Sequence, residues 1–197
     1  MKKNLAMEPI KSSFLSCEKD FETILRRLFV ESKPHNEELI RLLTINMPDC
    51  LTNKTSNVYR ARVNDNSSLA ALREMGYIRF SPEMKYSEHE EVKTYIIMSI
   101  DNFTPNANNP QFRDCVVHFD IICHTECWEM DNYCVRPLKV AGYIDGILNN
   151  SKLSGIGTFQ FMGCSKMLIG PGLAGYAVLY KAIHGGEDTH EGDVLNG

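Results

Sequence analysis

Five residues between positions 118 and 134 make up the densest set of metal-ligand side chains in the chain: His118, Cys123, His124, Cys127 and Cys134. Thiolate and imidazole are the donors that tetrahedral zinc prefers, and its sites favour Cys pairs two to four residues apart. Cys123-x-x-x-Cys127 sits at the permissive end of that spacing. In an extended strand the two α-carbons would stand about 13 Å apart, too far to share one ion. A turn beginning at His124 would bring them together, with Cys134 or His118 completing the set. No second closely spaced Cys pair accompanies them, so thiols packed in a strand and a helix are the plainer expectation.

Other chemistry-bearing patterns lack the context they need. Gly170-Pro171-Gly172-Leu173-Ala174-Gly175 matches the dinucleotide fingerprint G-x-G-x-x-G literally. That fingerprint works between a strand and a helix, where phosphate meets the helix N-terminus. Only 22 residues follow Gly175, and Tyr176 to Tyr180 reads as a strand, so this is a turn with no room for a nucleotide site. A nucleophilic site needs an activated Ser or Cys beside a base and an oxyanion hole. No nucleophile elbow, zinc-protease pair or phosphate-cradling lysine loop is present. Gly163-Cys164-Ser165 with His184 could be arranged as a thiol nucleophile, but Cys164 is more simply a strand-end residue. Asp120 and Asp145 could pair as carboxylates only through tertiary proximity. The chain is expected to be no enzyme and to take no cofactor.

The bulk properties agree. The 197 residues are 43 % hydrophobic and 23 % charged, with a net charge of −4 and an isoelectric point near 5.9. Such a chain is long enough to bury a sizeable core and has no basic footprint for duplex nucleic acid. A local basic patch could draw on Lys2, Lys3, Arg26, Arg27 and Arg41. No run approaches the roughly eighteen apolar residues needed to span a bilayer. Glu8, Pro9 and Lys11 interrupt any signal-peptide core, so a cytoplasmic origin is expected. Seven cysteines, an odd count without a secretory signal, are expected to be reduced and mostly buried.

The elements that must position these residues follow from periodicity. Phe21, Ile24, Leu25, Leu28 and Phe29 recur at helical spacing over Glu18 to Val30, and Lys33-Pro34 ends that helix. Leu39, Ile40, Leu42 and Leu43 predict a second helix over Asn36 to Ile45. Asp49 to Asn66 reads as loop, followed by a short helix capped at Ser67 or Ser68 and ended by Gly76. Pro82 to Glu91 is a polar exposed run, and Tyr95 to Ile100 a strand rich in β-branched and aromatic residues. Asn102 to Pro110, with four Asn and two Pro, reads as loop. Phe112 to Trp128 is the longest strand candidate, with Cys115, Val117, Phe119, Ile121 and Cys123 on an apolar face. Val116, His118, Asp120 and Ile122 form a mixed face toward solvent or a neighbouring subunit. Pro137 opens a helix carrying Leu138, Ala141, Ile144 and Leu148 inward. Ile156 to Met162 and Leu173 to Ile183 read as strands, with Gly163 to Gly172 a short strand or extended loop between them.

The expected fold is α+β: a mostly antiparallel sheet with helices packed on one face, N-terminal helices and long loops. A single domain is expected over residues 1–184, with a helical part at about 14–48, an insertion at about 49–110 and a core at about 111–184. Residues 185–197 form an acidic tail. Trp128 is the only tryptophan and suits either a core cap or a protein–protein anchor. Further expected contact residues are Pro105, Asn108 and Asn109 in the Asn102 to Pro110 loop, and Glu187 and Asp188 in the tail.

The strand Arg113 to Cys123, the helix Arg136 to Leu148 and the hairpin Gly155 to Phe161 with Leu173 to Tyr180 together resemble bacteriophage tail terminator, or tail completion, proteins of the neck. The likeness covers about a third of the chain, in element type and length. It implies a structural virion protein made in a bacterial cytoplasm, a subunit of a hexameric ring that caps the tail tube and meets the head-side connector. The long N-terminal helical region and the Tyr59 to Pro110 excursion depart from that pattern. They leave another neck or head-completion component open. From other classes, the alternatives are a small zinc-binding interaction module using Cys123, Cys127 and Cys134, and a hydrolase or transferase whose site is assembled from distant residues.

Overall fold

The computed structural model describes residues 14, 17–53, 66–81, 91–109 and 112–185. The N-terminal helical region contains α1 (Cys17–Arg26), a widened π-helical turn (Arg27–Glu31) and α2 (His35–Thr44). Then come α3 (Asn66–Glu74), β1 (Ile78–Arg79), β2 (Thr94–Pro105) and β3 (Phe112–His124). A single 3-10 turn (Thr125–Cys127) leads into the small hairpin β4 (Glu129–Met130) and β5 (Cys134–Val135), and from there into α4 (Arg136–Leu148). A second small hairpin, β6 (Lys152–Leu153) and β7 (Gly157–Thr158), precedes the long strands β8 (Gln160–Gly170) and β9 (Leu173–Gly185).

The main sheet has the order β1-β2-β3-β9-β8, antiparallel throughout except for the short parallel β1–β2 pair. The fold is α+β. Because side chains alternate along a strand, Cys115, Val117, Phe119, Ile121 and Cys123 share one face of β3, and all are buried. Tyr180, Val178 and Ala182 pair beside them on β9, and Ile96 and Met98 on β2. Ile24, Leu28 and Phe29, Leu39 and Leu43, and Val140, Ile144 and Leu148 close this face from the helical side. Burying one such side chain contributes about 2 kcal/mol, so this interface is the main source of stability. On α4, Leu138 points out and Val140, Ala141, Ile144, Ile147 and Leu148 point in, a rotation of the expected face.

Polar groups hold the helical layer together. Buried Asn36 donates to the carbonyls of Phe29 and Val30 at 3.2 and 3.3 Å, which the widened turn leaves short of partners. Tyr180 donates its hydroxyl to Asp145 on α4 at 3.0 Å, tying β9 to the helix. Tyr180→Phe should keep the fold and lower stability by about 1 kcal/mol, read from the urea midpoint.

Three expectations are corrected. Asn102 to Pro105 belongs to β2, which passes a bulge between Asp101 and Thr104 with Asn102 at φ 52°; Asn tolerates that region better than most residues. The β3 strand stops at His124 instead of running to Trp128. The expected strand over Ile156 to Met162 is split: Gly157–Thr158 form the two-residue β7, Phe159 interrupts, and Gln160 to Met162 open β8, which runs on to Gly170. Of the short strand or extended loop expected over Gly163 to Gly172, the strand holds as far as Gly170, because glycine weakens a strand without removing its ladder hydrogen bonds. The acidic tail after Gly185, with Glu187 and Asp188, residues 82–90 of the polar run and most of the loop at Asp49 to Asn66 lie outside the described residues.

Gly170 to Leu173 form the hairpin turn between β8 and β9, and Ala174 and Gly175 already lie in β9. Gly170 pairs with Leu173, leaving Pro171 and Gly172 as the two central residues. Gly172 has φ 76°, the value that position i+2 of a type II turn demands, and proline suits the position before it.

Candidate assembly interface

Among the described residues, no strand pairs with the outer side of β8, the edge of the five-stranded sheet. Every residue of this eleven-residue strand is exposed or half-exposed. The register with β9 puts Phe161, Cys164, Lys166 and Leu168 toward the helical side, and Gln160, Gly163, Ser165 and Met167 on the other. The ladder shifts between Phe161 and Gly163 and between Leu168 and Gly170, so Met162 and Ile169 are bulged out. Phe161 is 48 %, Met162 56 % and Leu168 82 % exposed.

Protein edges are normally blunted by charge, proline or shortness, and by bulges that twist them away. β8 has two bulges, but they flank a regular stretch, and both bulged residues are large and apolar. Lys166 is its only charge. An edge built this way is suited to receive another chain. The sequence signal for it, the apolar pairs Phe161-Met162 and Leu168-Ile169, was obscured by the glycines between and after them.

The other expected contact residues are placed as follows. Trp128 is half-buried, its ring 6.2 Å from that of Tyr176. Pro105 and Asn108 are exposed, and Asn109 is half-buried. The loop between β2 and β3 is organised by Asn106, whose Oδ1 accepts from the backbone of Asn108 and Asn109 at 3.0 and 3.1 Å. Its Nδ2 donates to Asp114 at 2.6 Å, and Asp114 also meets Lys181 at 2.8 Å.

Lys181, and then Asn106, hold the Asp114 carboxyl below its ordinary value. A folded-state pKa below the unfolded one gives stability that is present above the unfolded value, near 3.9, and is lost as pH falls through the folded one. Asp114→Asn should therefore lower the melting temperature at pH 7. The gap to the wild type should narrow in melts taken at pH 3 and below.

The mixed face of the sheet is only partly open. Val116, His118 and Asp120 are half-buried, with His118 3.3 Å from Asp101. Burial pushes the Asp120 carboxyl up. At the far end of this face Tyr95, Ile97, Ile122 and Leu173 form a second small core edged by Met167, so Ile122 does not face outward as expected.

The structure also sorts the candidate ligands. The chain turns after His124, and the Cys123 and Cys127 sulfurs lie 3.6 Å apart instead of 13 Å. His118 projects from the opposite face of β3, since five residues separate it from Cys123 on a two-residue period. Cys134 packs at the edge of the main core. Among the described residues no three Cys, His, Asp or Glu side chains gather to hold a metal ion.

Asp120 and Asp145 lie on opposite sides of the sheet. Cys164 pairs opposite Val178, six residues from His184, so these two do not form a nucleophile and base. His184, fully buried, instead hydrogen-bonds Asp20 through Nδ1, and its Nε2 lies 3.8 Å from the Cys17 sulfur. The order is that of a nucleophilic relay. Burial, and then Asp20, push the Cys17 thiol up, the reverse of activation. The cluster ties α1 to the end of β9. The sequence separation of 164 residues left no local signal for it. Among the described residues, no helix is long and apolar enough to cross a membrane.

Compared with known protein families, the YomW family model matches residues 36–182, from α2 to near the end of β9. No curated protein matches the chain.

Proposed function

The chain belongs to the YomW family, a phage-derived family, and from that premise we propose that it is a structural virion protein and not an enzyme. In this reading it is a tail terminator-like ring subunit that caps the tail tube and joins it to the head-side connector. The observation that carries the reading is the β8 edge: eleven residues with Phe161, Met162, Leu168 and Ile169 exposed along it. Copies related by a closing rotation would use that edge against a different surface of the next copy, which is how heterologous contacts build rings. The resemblance to tail terminators implies six copies. Helices covering one side of the sheet leave its rim and loops for contact with rings above and below.

The test is native mass spectrometry of the purified chain, alone and with a tail tube protein. A ring of this chain is expected in at least one condition. Leu168→Lys with Ile169→Lys should leave monomers in both. Because Leu168 is largely exposed, the double variant should stay within about 1 kcal/mol of the wild type in urea unfolding. Rings that survive the double substitution would overturn the β8 assignment. Monomers of the wild type in both conditions would overturn the ring.

A further inference from the structure

Cys123 and Cys127 are free thiols whose sulfurs are 3.6 Å apart, and both residues are almost fully buried. Buried cysteines usually act as small hydrophobic side chains. This pair is set differently. The hydroxyl of Thr94, itself fully buried, donates to the Cys123 sulfur at 3.2 Å and lies 3.6 Å from that of Cys127. The carbonyl of His124 is 3.4 Å from both sulfurs. The guanidinium of Arg136 bonds the Cys127 carbonyl at 2.6 Å. Two thiols, a hydroxyl donor and a buried cation are therefore concentrated at the point where β3 ends and the chain turns.

We propose that Cys123 and Cys127 form a peroxide-reactive dithiol that closes into an intramolecular disulfide. A disulfide needs an S–S distance near 2.05 Å, so the sulfurs must approach by only about 1.5 Å. The first step is attack of the Cys127 thiolate on a hydroperoxide oxygen. The O–O bond breaks, the sulfur becomes a sulfenic acid, and the departing oxygen leaves as water after taking up a proton. In the second step the Cys123 sulfur displaces the sulfenic hydroxyl, which leaves as water with the Cys123 proton. Two thiols and one hydrogen peroxide give one disulfide and two waters.

The electrostatics assign the roles. The hydrogen bond from Cys123, and then Thr94, Arg136 and His124, push the Cys127 thiol down against the effect of its burial. The hydrogen bond to Cys127 and burial push Cys123 up. These opposed shifts make Cys127 the more acidic of the two sulfurs, suited to attack, and leave Cys123 as the resolving thiol. Thr125 and Glu126 between them are exposed, and a single 3-10 turn can open locally to admit a molecule as small as a peroxide. The loop that the bond closes is very short, so little chain entropy is removed from the unfolded state. The pair acts as a reactive site more than as a staple.

The experiment treats the full-length reduced protein with hydrogen peroxide, alkylates it in denaturant and maps the peptides by mass spectrometry. The peptide holding Cys123 and Cys127 is expected to lose both alkylatable thiols and two hydrogens, while Cys50 and Cys115 stay fully alkylatable. Dithiothreitol should restore both thiols. In Cys123→Ser, Cys127 should accumulate as a sulfenic acid that a cyclic 1,3-diketone traps. If that variant misfolds by circular dichroism, the wild-type map alone decides. Recovery of Cys123 and Cys127 as thiols, under peroxide that oxidises the exposed Cys164, would overturn the proposal. So would a bridge from either of them to another cysteine.

Discussion

Arg136→Met is expected to lower the unfolding free energy by about 4 kcal/mol, against a total of about 5–15 kcal/mol for a domain of ordinary stability. Arg136 is fully buried. Its Nε donates to the Cys127 carbonyl at 2.6 Å, one terminal nitrogen to Leu42 and Ile45 at 3.0 and 2.7 Å, and the other to Asn46 and Met47, both at 2.9 Å. The Cys50 sulfur lies 3.5 Å away. These five acceptors are main-chain carbonyls, and none of the described partners is a carboxylate. Leu42 to Met47 is where α2 ends, and the last carbonyls of a helix have no partner within it and carry the negative end of its dipole. One guanidinium therefore satisfies the end of α2, fixes the turn after β3 and starts α4.

Methionine would fill most of the space and leave those carbonyls buried without donors, and such a loss costs more than the hydrogen bonds contribute net. Arg136→Lys keeps the charge but has one nitrogen in place of three, so it should fall between the two. Urea unfolding followed by circular dichroism gives the order wild type, Lys, Met. An Arg136→Met midpoint equal to the wild type would mean that water or a shifted helix end replaces the guanidinium.

The same residue shows where sequence reading stops. Arg136-Pro137 is legible as the start of a helix, because proline at a first turn loses no hydrogen bond. That the arginine turns inward is not legible, because four of its five acceptors lie about ninety residues away and all five are main-chain atoms common to every residue. The apolar face of β3 was readable because alternation is a local property. So was the glycine-ended helix before Tyr77, whose amide bonds the Leu72 carbonyl at 2.9 Å. Lost to the sequence was whatever a turn or a tertiary contact decides. The Cys123–Cys127 contact depends on where β3 ends, and the Asp20–His184 pair on how α1 docks. The β8 edge stayed ambiguous for a different reason: Gly163 and Gly170 fit a short strand or an extended loop equally, and only the structure shows that both have open space around them and stay in the strand.

Gly175→Val is expected to be the most damaging change within the sheet, with a loss of at least about 3 kcal/mol and insoluble expression as a second readout of the same loss. Gly175 is the last glycine of the nucleotide-like motif and pairs with Ile122 where β9 lies between β3 and β8. A Cβ there would stand 1.9 Å from the Ile121 carbonyl oxygen, 2.9 Å from its carbon and 3.2 Å from the Ile122 Cα. These are main-chain atoms of the neighbouring central strand, so no rotamer relieves the contact, and β3 and β9 must separate. That separation would loosen the Phe119–Val178 pair three positions away and the small core around Ile122 and Leu173. Gly175→Ala should already show most of the loss, since the first carbon makes the clash. Gly146→Ala is the matched control. Gly146 lies in α4 with nothing within 4 Å of an added Cβ, and alanine there should stabilise the chain by up to about 1 kcal/mol. Thermal melts of the two alanine variants should therefore move in opposite directions. A Gly175→Ala melt equal to the wild type would mean that the two central strands are farther apart than the 1.9 Å approach requires.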